Sequence, residues 1–189
     1  MSAKLRGGFT ASPLYPFTHS GPVIVAGNAR CMHEDIARAR GLYGDLPIIA
    51  VNGASREIKA EFLYSKHPEQ FVADHYWIAR QQVFHLQFEV HGSAFHENMP
   101  FVHYWWEAAR GGGGSGWGAR KLAKCLGFDN AILCGMPLVP GGYVRGISKL
   151  MNRQDVIDVF RHEIEADTEW HEGVTSMSGW TRELLSPAS

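Results

Sequence analysis

"PVIVAGN", residues 22–28, decides the fold: five residues without a charge or amide, closing on Gly27 and Asn28. A continuous apolar run of this length, ended by turn formers, suits a strand buried on both faces, as in the middle of a parallel sheet. Next comes "HEDIARAR", residues 33–40, with acids early and arginines late, as the helix dipole favours; Gly41 and Gly44 can end that helix. "LPIIAVN", residues 46–52, repeats the strand pattern and runs into Gly53. A short helical stretch, "SREIKA", leads to a third strand, "EFLYS", and Pro68 takes a first-turn position in the helical "PEQFVADHYWIARQQ". The order β-α-β-α-β-α is that of a parallel sheet wound with helices.

Further along, "VFHLQFEVH" alternates Phe84, Leu86, Phe88 and Val90 with His85, Gln87, Glu89 and His91, a half-buried strand with one solvated face. "FVHYWWE" is read as another strand. Ala119, Leu122, Ala123 and Leu126 recur at helical spacing, with Gly127 to cap them, and "NAILCG" supplies a further buried strand. "RQDVIDVFRHEIEADTEW" is amphipathic, with Val156, Val159, Phe160 and Ile164 expected inward, and "SGWTRELL" is a last short helix opened by Ser178 or Thr181 as cap. The fold class is therefore α/β, a Rossmann-like, mostly parallel sheet with helices on both faces. It is expected to be one domain, residues 1–189, whose first 20 residues are irregular.

Composition narrows the function classes. The 189 residues carry a net charge of −1, which gives no general attraction to nucleic acid or to an anionic membrane. No apolar run approaches the roughly 20 residues of a membrane helix, and the N-terminus lacks a signal-peptide core, so a soluble, cytoplasmic protein is expected. The three cysteines lack CxxC spacing and are read as reduced thiols.

"GGGGSG", residues 111–116, has the composition of a flexible linker, yet it lies between a strand and a helical stripe rather than between domains. Glycines opening a helix leave backbone N–H groups free and let a ligand approach closely, which is phosphate-binding chemistry; the other reading is a loop that allows close strand-helix packing. Gly111-x-Gly113-x-x-Gly116 fits GxGxxG formally, but the next strand ends without the acid that holds a ribose. Gly118-Ala119-Arg120 replaces the Gly-Lys-Ser/Thr of a Walker A loop. In an open parallel sheet, ligands sit at the carboxyl ends of the strands. Here those ends are Gly27-Asn28, Asn52-Gly53, Ser65-Lys66-His67 and Gly135-Met136-Pro137. Asparagine amides there offer both donors and acceptors to a base or ribose.

"VIVAGNARC", then "IIAVNGAS", and far downstream "GGSGWGARKLAKCLGFDNAILCG" together resemble the bacterial sialyltransferase-like glycosyltransferases and the related pterin-pyrophosphokinase-like proteins. The likeness covers roughly residues 22 to 67 and 111 to 138. It implies a Rossmann-like sheet and, in the sialyltransferase branch, sugar transfer from a cytidine monophosphate donor without a bound metal. By that resemblance Gly27, Asn28 and Asn52 contact the nucleotide, with Ser115 and Gly116, and Gly114 beside them, near its phosphate or ribose. Where the family pattern has Gly-Pro-Ser after the asparagine, this chain has Ala29-Arg30-Cys31, so Arg30 is expected to meet the phosphate. Ser65 closes the third strand beside the same crevice, and Tyr143, in "PGGYVRG", can donate its hydroxyl to phosphate or pack under a glycine turn.

Transfer needs a base for the acceptor hydroxyl. His67 stands at a strand end; His171 lies in the C-terminal part, where the resemblance implies the family's histidine. His91, His96 and His103 match no metal spacing, so no metal site is expected. The sequence therefore reads as a transferase using a nucleotide-activated sugar, with the nucleotide as substrate and no tightly bound cofactor. Its rivals are an Mg²⁺-dependent pyrophosphokinase-like phosphoryl transferase and a non-catalytic nucleotide-binding protein. The acceptor is not specified, and a homo-oligomer is left open.

Overall fold

The expected first strand is present: β1 spans Pro22–Ala26, and in the computed structural model of the chain four of its five residues are buried. The structure describes residues 15–69, 71, 88–93, 99, 101–109, 111–144 and 153–186. After β1 come helix α1 (Met32–Tyr43), strands β2 (Ile48–Val51) and β3 (Phe62–Ser65), and strands β4 (Glu89–Ser93) and β5 (Tyr104–Trp106). They are followed by helix α2 (Gly114–Leu126), strand β6 (Asn130–Cys134), helix α3 (Gln154–Ala166), strand β7 (Val174–Ser176) and helix α4 (Gly179–Leu185).

One seven-stranded sheet results, in the order β5-β4-β3-β2-β1-β6-β7, with every pairing parallel. The chain winds outward from β1 to β5, crosses back, and continues through β6 and β7. The direction of winding therefore reverses between β1 and β6, the place where open α/β sheets in general form a ligand crevice at the carboxyl ends of their strands. This is the Rossmann-like α/β fold expected from the strand pattern.

Both faces of the sheet are covered, which explains the unbroken apolar runs. Val23 and Val25 of β1, with Ile49, Val51 and Tyr64, pack beneath Trp117, Leu122 and Leu126 of α2 and Ile157 and Ile164 of α3. Their neighbours Ile24, Ala26, Ile48, Ala50 and Leu63 face the other way, onto Met32, Ile36 and Ala39 of α1. Alternation along each strand thus feeds two cores instead of one core and solvent.

Several expectations are corrected. The face of β4 holding His91 is not solvated: His91 is 0% exposed, enclosed by the aromatic rings of Tyr15, Phe62, Tyr104 and Trp106. Residues 15–20, read as irregular, supply part of that cover. In α3 Val159 is 55% exposed, and Ile157 takes the inward position instead, because the buried stripe runs through Ile157, Phe160 and Ile164. The short helical stretch lies earlier than expected, as a 3₁₀ turn over Asn52–Arg56 that takes only Ser55 and Arg56 of "SREIKA". β7 was not expected at all; three residues carry too little pattern to announce a strand. The expected helix over 68–82 falls mostly outside the described residues, as do His85 and His96.

Candidate functional site

Helix α2 begins at Gly114, one residue after a left-handed Gly113 at φ 76°. A Cβ on Gly113 would lie 2.7 Å from Trp117 Cβ and 2.9 Å from Ile164 Cγ1, so the position excludes any side chain. The expected row of free amides is partly occupied: Glu163 of α3 accepts the Gly113 N–H at 2.6 Å through Oε2. From the other side the Lys66 ammonium, just past β3, donates to the carbonyls of Gly111 and, at 3.3 Å, Gly112. The glycine run is thus held by a carboxylate on an N–H and an ammonium on two carbonyls. The close-packing role proposed for these glycines is met by Glu163, Phe160 and Ile164.

The first turn of α2 nonetheless reaches the crevice. Gly116 lets Met136, just beyond β6, lie against the helix backbone, with Sδ 3.0 Å from where a Cβ would stand, and the same Met136 packs on Gly27 at the end of β1. Ser115 and Gly116 are therefore next to the point where the winding reverses. Gly114 faces the Phe160 ring instead, at 3.4 Å from its Cβ position.

On the other side of β1, Asn28 and Asn52 converge. Asn28 Nδ2 lies 2.8 Å from where a Cβ on Gly53 would be, so the side chain reaches over the end of β2. Asn52 is held in the left-handed region at φ 50°, and its carbonyl accepts the Ser55 hydroxyl at 2.7 Å. Each of the two has a side-chain Oδ1 that is shielded from solvent and has no hydrogen-bond partner among the described residues.

The turn after β1 is roofed by main chain. Arg30 donates its N–H to Gly142 at 3.1 Å, Val144 donates to the Asn28 carbonyl at 3.0 Å, and Tyr143 bridges Ala29. Tyr143 is thereby placed directly over the turn, and the guanidinium of Arg30 packs against Gly142, where a Cβ would meet Nε at 2.5 Å.

Asp35 was read only as a helix-dipole acid, but at 2% exposure its Oδ2 accepts the Gly135 N–H at 2.9 Å and the Ser178 hydroxyl at 2.6 Å. Ser178 therefore does not cap α4 with its side chain. Thr181 is not a cap either; its hydroxyl donates to the Met136 carbonyl at 2.8 Å. Cys31 Sγ stands 3.4 Å from Ser178 Oγ, and burial raises its thiol pKa above the ordinary value. Lys66, Glu163 and Asp35 are the site residues that sequence reasoning passed over; the one available signal was the position of Lys66 at a strand end.

The two candidate bases are held differently. His67 follows β3 at its carboxyl end, exposed, with Nδ1 3.4 Å from Glu69 Oε1; its N–H donates to the buried Ser65 hydroxyl at 2.9 Å. His171 precedes the amino end of β7. Its Nε2 lies 2.7 Å from the Ile164 carbonyl, and its ring meets Trp117 edge-on at 5.8 Å. Gly27 and Gly116 meet at Met136, Asn28 reaches over Gly53 beside Asn52, and Tyr143 bridges Ala29, whereas His171 packs on Ile164 and Trp117, the two residues that also enclose Gly113.

No protein-family model matches this chain, and no curated protein matches it. Among solved structures it is similar to the sialyltransferase CstII from Campylobacter jejuni, determined in complex with cytidine-5'-monophosphate as a substrate analogue. The TM-score is 0.54 at 16% identity, over 89% of this chain and 88% of that one. The likeness is one of fold: this chain shares the Rossmann-like arrangement of that structure over nearly its whole length, and nothing in it bears on the pterin-pyrophosphokinase branch of the resemblance.

Proposed function

We propose that the chain binds a nucleotide across the carboxyl ends of β1, β2 and β6 and transfers the sugar of a nucleotide-activated donor. The observation that carries this reading is the pair of shielded Oδ1 acceptors on Asn28 and Asn52, without partners among the described residues, at the carboxyl ends of β1 and β2 beside the strand where the winding reverses. Shielded acceptors are nearly always satisfied, and the donors that fit two amide oxygens are an exocyclic base amine and ribose hydroxyls. Cytosine carries such an amine where uracil carries a carbonyl. In this arrangement Ser115 and Gly116 lie beside the ribose or phosphate, Arg30 and Tyr143 approach the phosphate from the roof, and His67, at the end of β3, is the base. His171 serves as base only if the segment after α3 releases its ring from Ile164.

Thermal-shift measurements test the reading. Cytidine monophosphate should raise Tm without Mg²⁺, and uridine monophosphate should raise it less; replacing Asn28 or Asn52 by alanine should remove most of the shift. Indifference of Tm to every nucleotide would sink the reading. The engaged ring of His171 favours one second reading, a protein that binds the nucleotide without turning it over. Hydrolysis or transfer from a cytidine monophosphate sugar, lost in His67→Ala, decides against it.

A further inference from the structure

Four glycines in succession carry little conformational preference of their own, and three of them, Gly111, Gly113 and Gly114, sit at positive φ. Something outside the run must select this geometry. The cations and acids around it are few and specific. Lys66 reaches from the end of β3 to the carbonyls of Gly111 and Gly112, and Glu163 reaches from α3 to the Gly113 N–H. Lys121 of α2, nearly buried, is itself spent on Asp167 at 2.5 Å, and Asp167 also accepts the Trp117 indole N–H at 2.7 Å. The Lys121 ammonium also stands 3.4 Å from where a Cβ on Gly111 would be, but of the two lysines Lys66 is the one that donates to the loop carbonyls.

We propose that Lys66 is the positioning residue of the glycine run, its ammonium fixing the Gly111 and Gly112 carbonyls so that α2 opens with Ser115 and Gly116 toward the crevice. The part concerning the crevice rests on the nucleotide reading above. A carbonyl-binding cation in this place orders the loop before any ligand arrives, so the ordering entropy is not charged to binding. The clamp holds most strongly while Lys66 is protonated. Burial, then the neighbouring Lys121, lower its pKa to about 8, against the opposing pull of Glu163 and Asp167; His67 and Glu69 adjoin it in sequence. A neutral amine keeps two N–H donors for these carbonyls but loses the charge assistance that makes such bonds strong.

The test combines amide hydrogen exchange over residues 111–116 with calorimetric binding of cytidine monophosphate, using the full chain and the variants Lys66→Arg and Lys66→Met. In the wild type, protection of the loop, corrected for intrinsic exchange, should fall about tenfold between about pH 7 and pH 9.5, as expected for losing a charged hydrogen bond. Lys66→Arg should keep its protection across that range, and Lys66→Met should lack it throughout; affinity for cytidine monophosphate should follow the same pattern. If Lys66→Met does not fold, the wild-type and Lys66→Arg pH profiles decide alone. Loop protection independent of pH in the wild type, or unchanged in Lys66→Met, overturns the proposal. So does lost protection with unchanged affinity. Failure of the wild type to bind any nucleotide overturns the nucleotide reading together with the ligand part of the proposal, whereas the exchange data still judge the clamp.

Discussion

Arg120 shows what a single side chain in the middle of a helix can reveal. It is 1% exposed, lies between the rings of Trp117 and Trp170 at 5.9 and 5.4 Å, and donates from Nη2 to the Glu172 carbonyl at 2.5 Å. Its Nε and Nη1 have no partner among the described residues, and burial lowers its pKa to about 10. Such a charge contributes through packing and the two rings more than through pairing, and exchanging it for an apolar group of similar length is often neutral. Arg120→Met should change stability by no more than about 1 kcal/mol, while Arg120→Ala, which leaves a void between two tryptophans, should cost about 2–4 kcal/mol. Urea unfolding of the two variants checks this; equal losses would mean that the charge, not the volume, carries the site. Nothing in the spacing of α2 announced a buried cation. Its apolar stripe was legible, but the segment after α3 that covers the opposite flank is brought there by the chain's return from a distance.

At the scale of the element, α2 and its glycine opening give a sharp contrast. Gly113 combines positive φ with contacts to Trp117 and Ile164 that cannot yield, whereas Gly116 is inside the helix and meets the flexible end of Met136. Gly113→Ala should therefore destabilise the protein by roughly 2–4 kcal/mol, from the left-handed penalty plus the overlap. Gly116→Ala should cost less than about 1 kcal/mol, because the gain in helix propensity offsets the displacement of Met136. Thermal unfolding of both variants separates the two; a Gly113→Ala protein as stable as the wild type would contradict the described N-cap. The reading of "GGGGSG" as the start of a helix came from its flanks, which are local. That Glu163 would fill one of its amides was not legible, since α3 lies some fifty residues away and its acids are alike in sequence. The expected inward Val159 failed for a similar reason: several registers of that amphipathic pattern are nearly equivalent until Ile157 finds the core.

For the whole molecule, the sheet order follows from short runs that each look alike, because a strand buried on both faces must be apolar throughout. Those runs made the parallel architecture legible, and their final residues marked the crevice. The polar network at the opposite edge of the sheet escaped notice, since alternation alone cannot distinguish a solvated face from one covered by residues 15–20. There the Trp106 indole donates to His91 Nδ1 at 2.9 Å, so the proton of this neutral ring sits on Nε2 and is donated to Glu89 at 3.1 Å. Burial lowers the pKa of His91 and of His19, which lies 2.6 Å from the Tyr15 hydroxyl. The folded state thus binds fewer protons on these rings than the unfolded chain does, and stability is lost as the pH falls through the unfolded value of about 6.5. The urea midpoint should drop between about pH 7.5 and 5.5, and the drop should be smaller in His91→Gln. A midpoint flat across that interval would show that the rings are as easily protonated folded as unfolded.

The roof over β1 bears on how such a site changes over time. The amides of Gly27, Ala29 and Arg30 are spent on Cys134, Gly135 and Gly142, so the main chain of this turn keeps little capacity to grip a ligand. On the nucleotide reading proposed above, recognition then rests on exchangeable side chains, Asn28 and Asn52 before all. Single substitutions can redirect its ligand preference while the backbone beneath stays as it is.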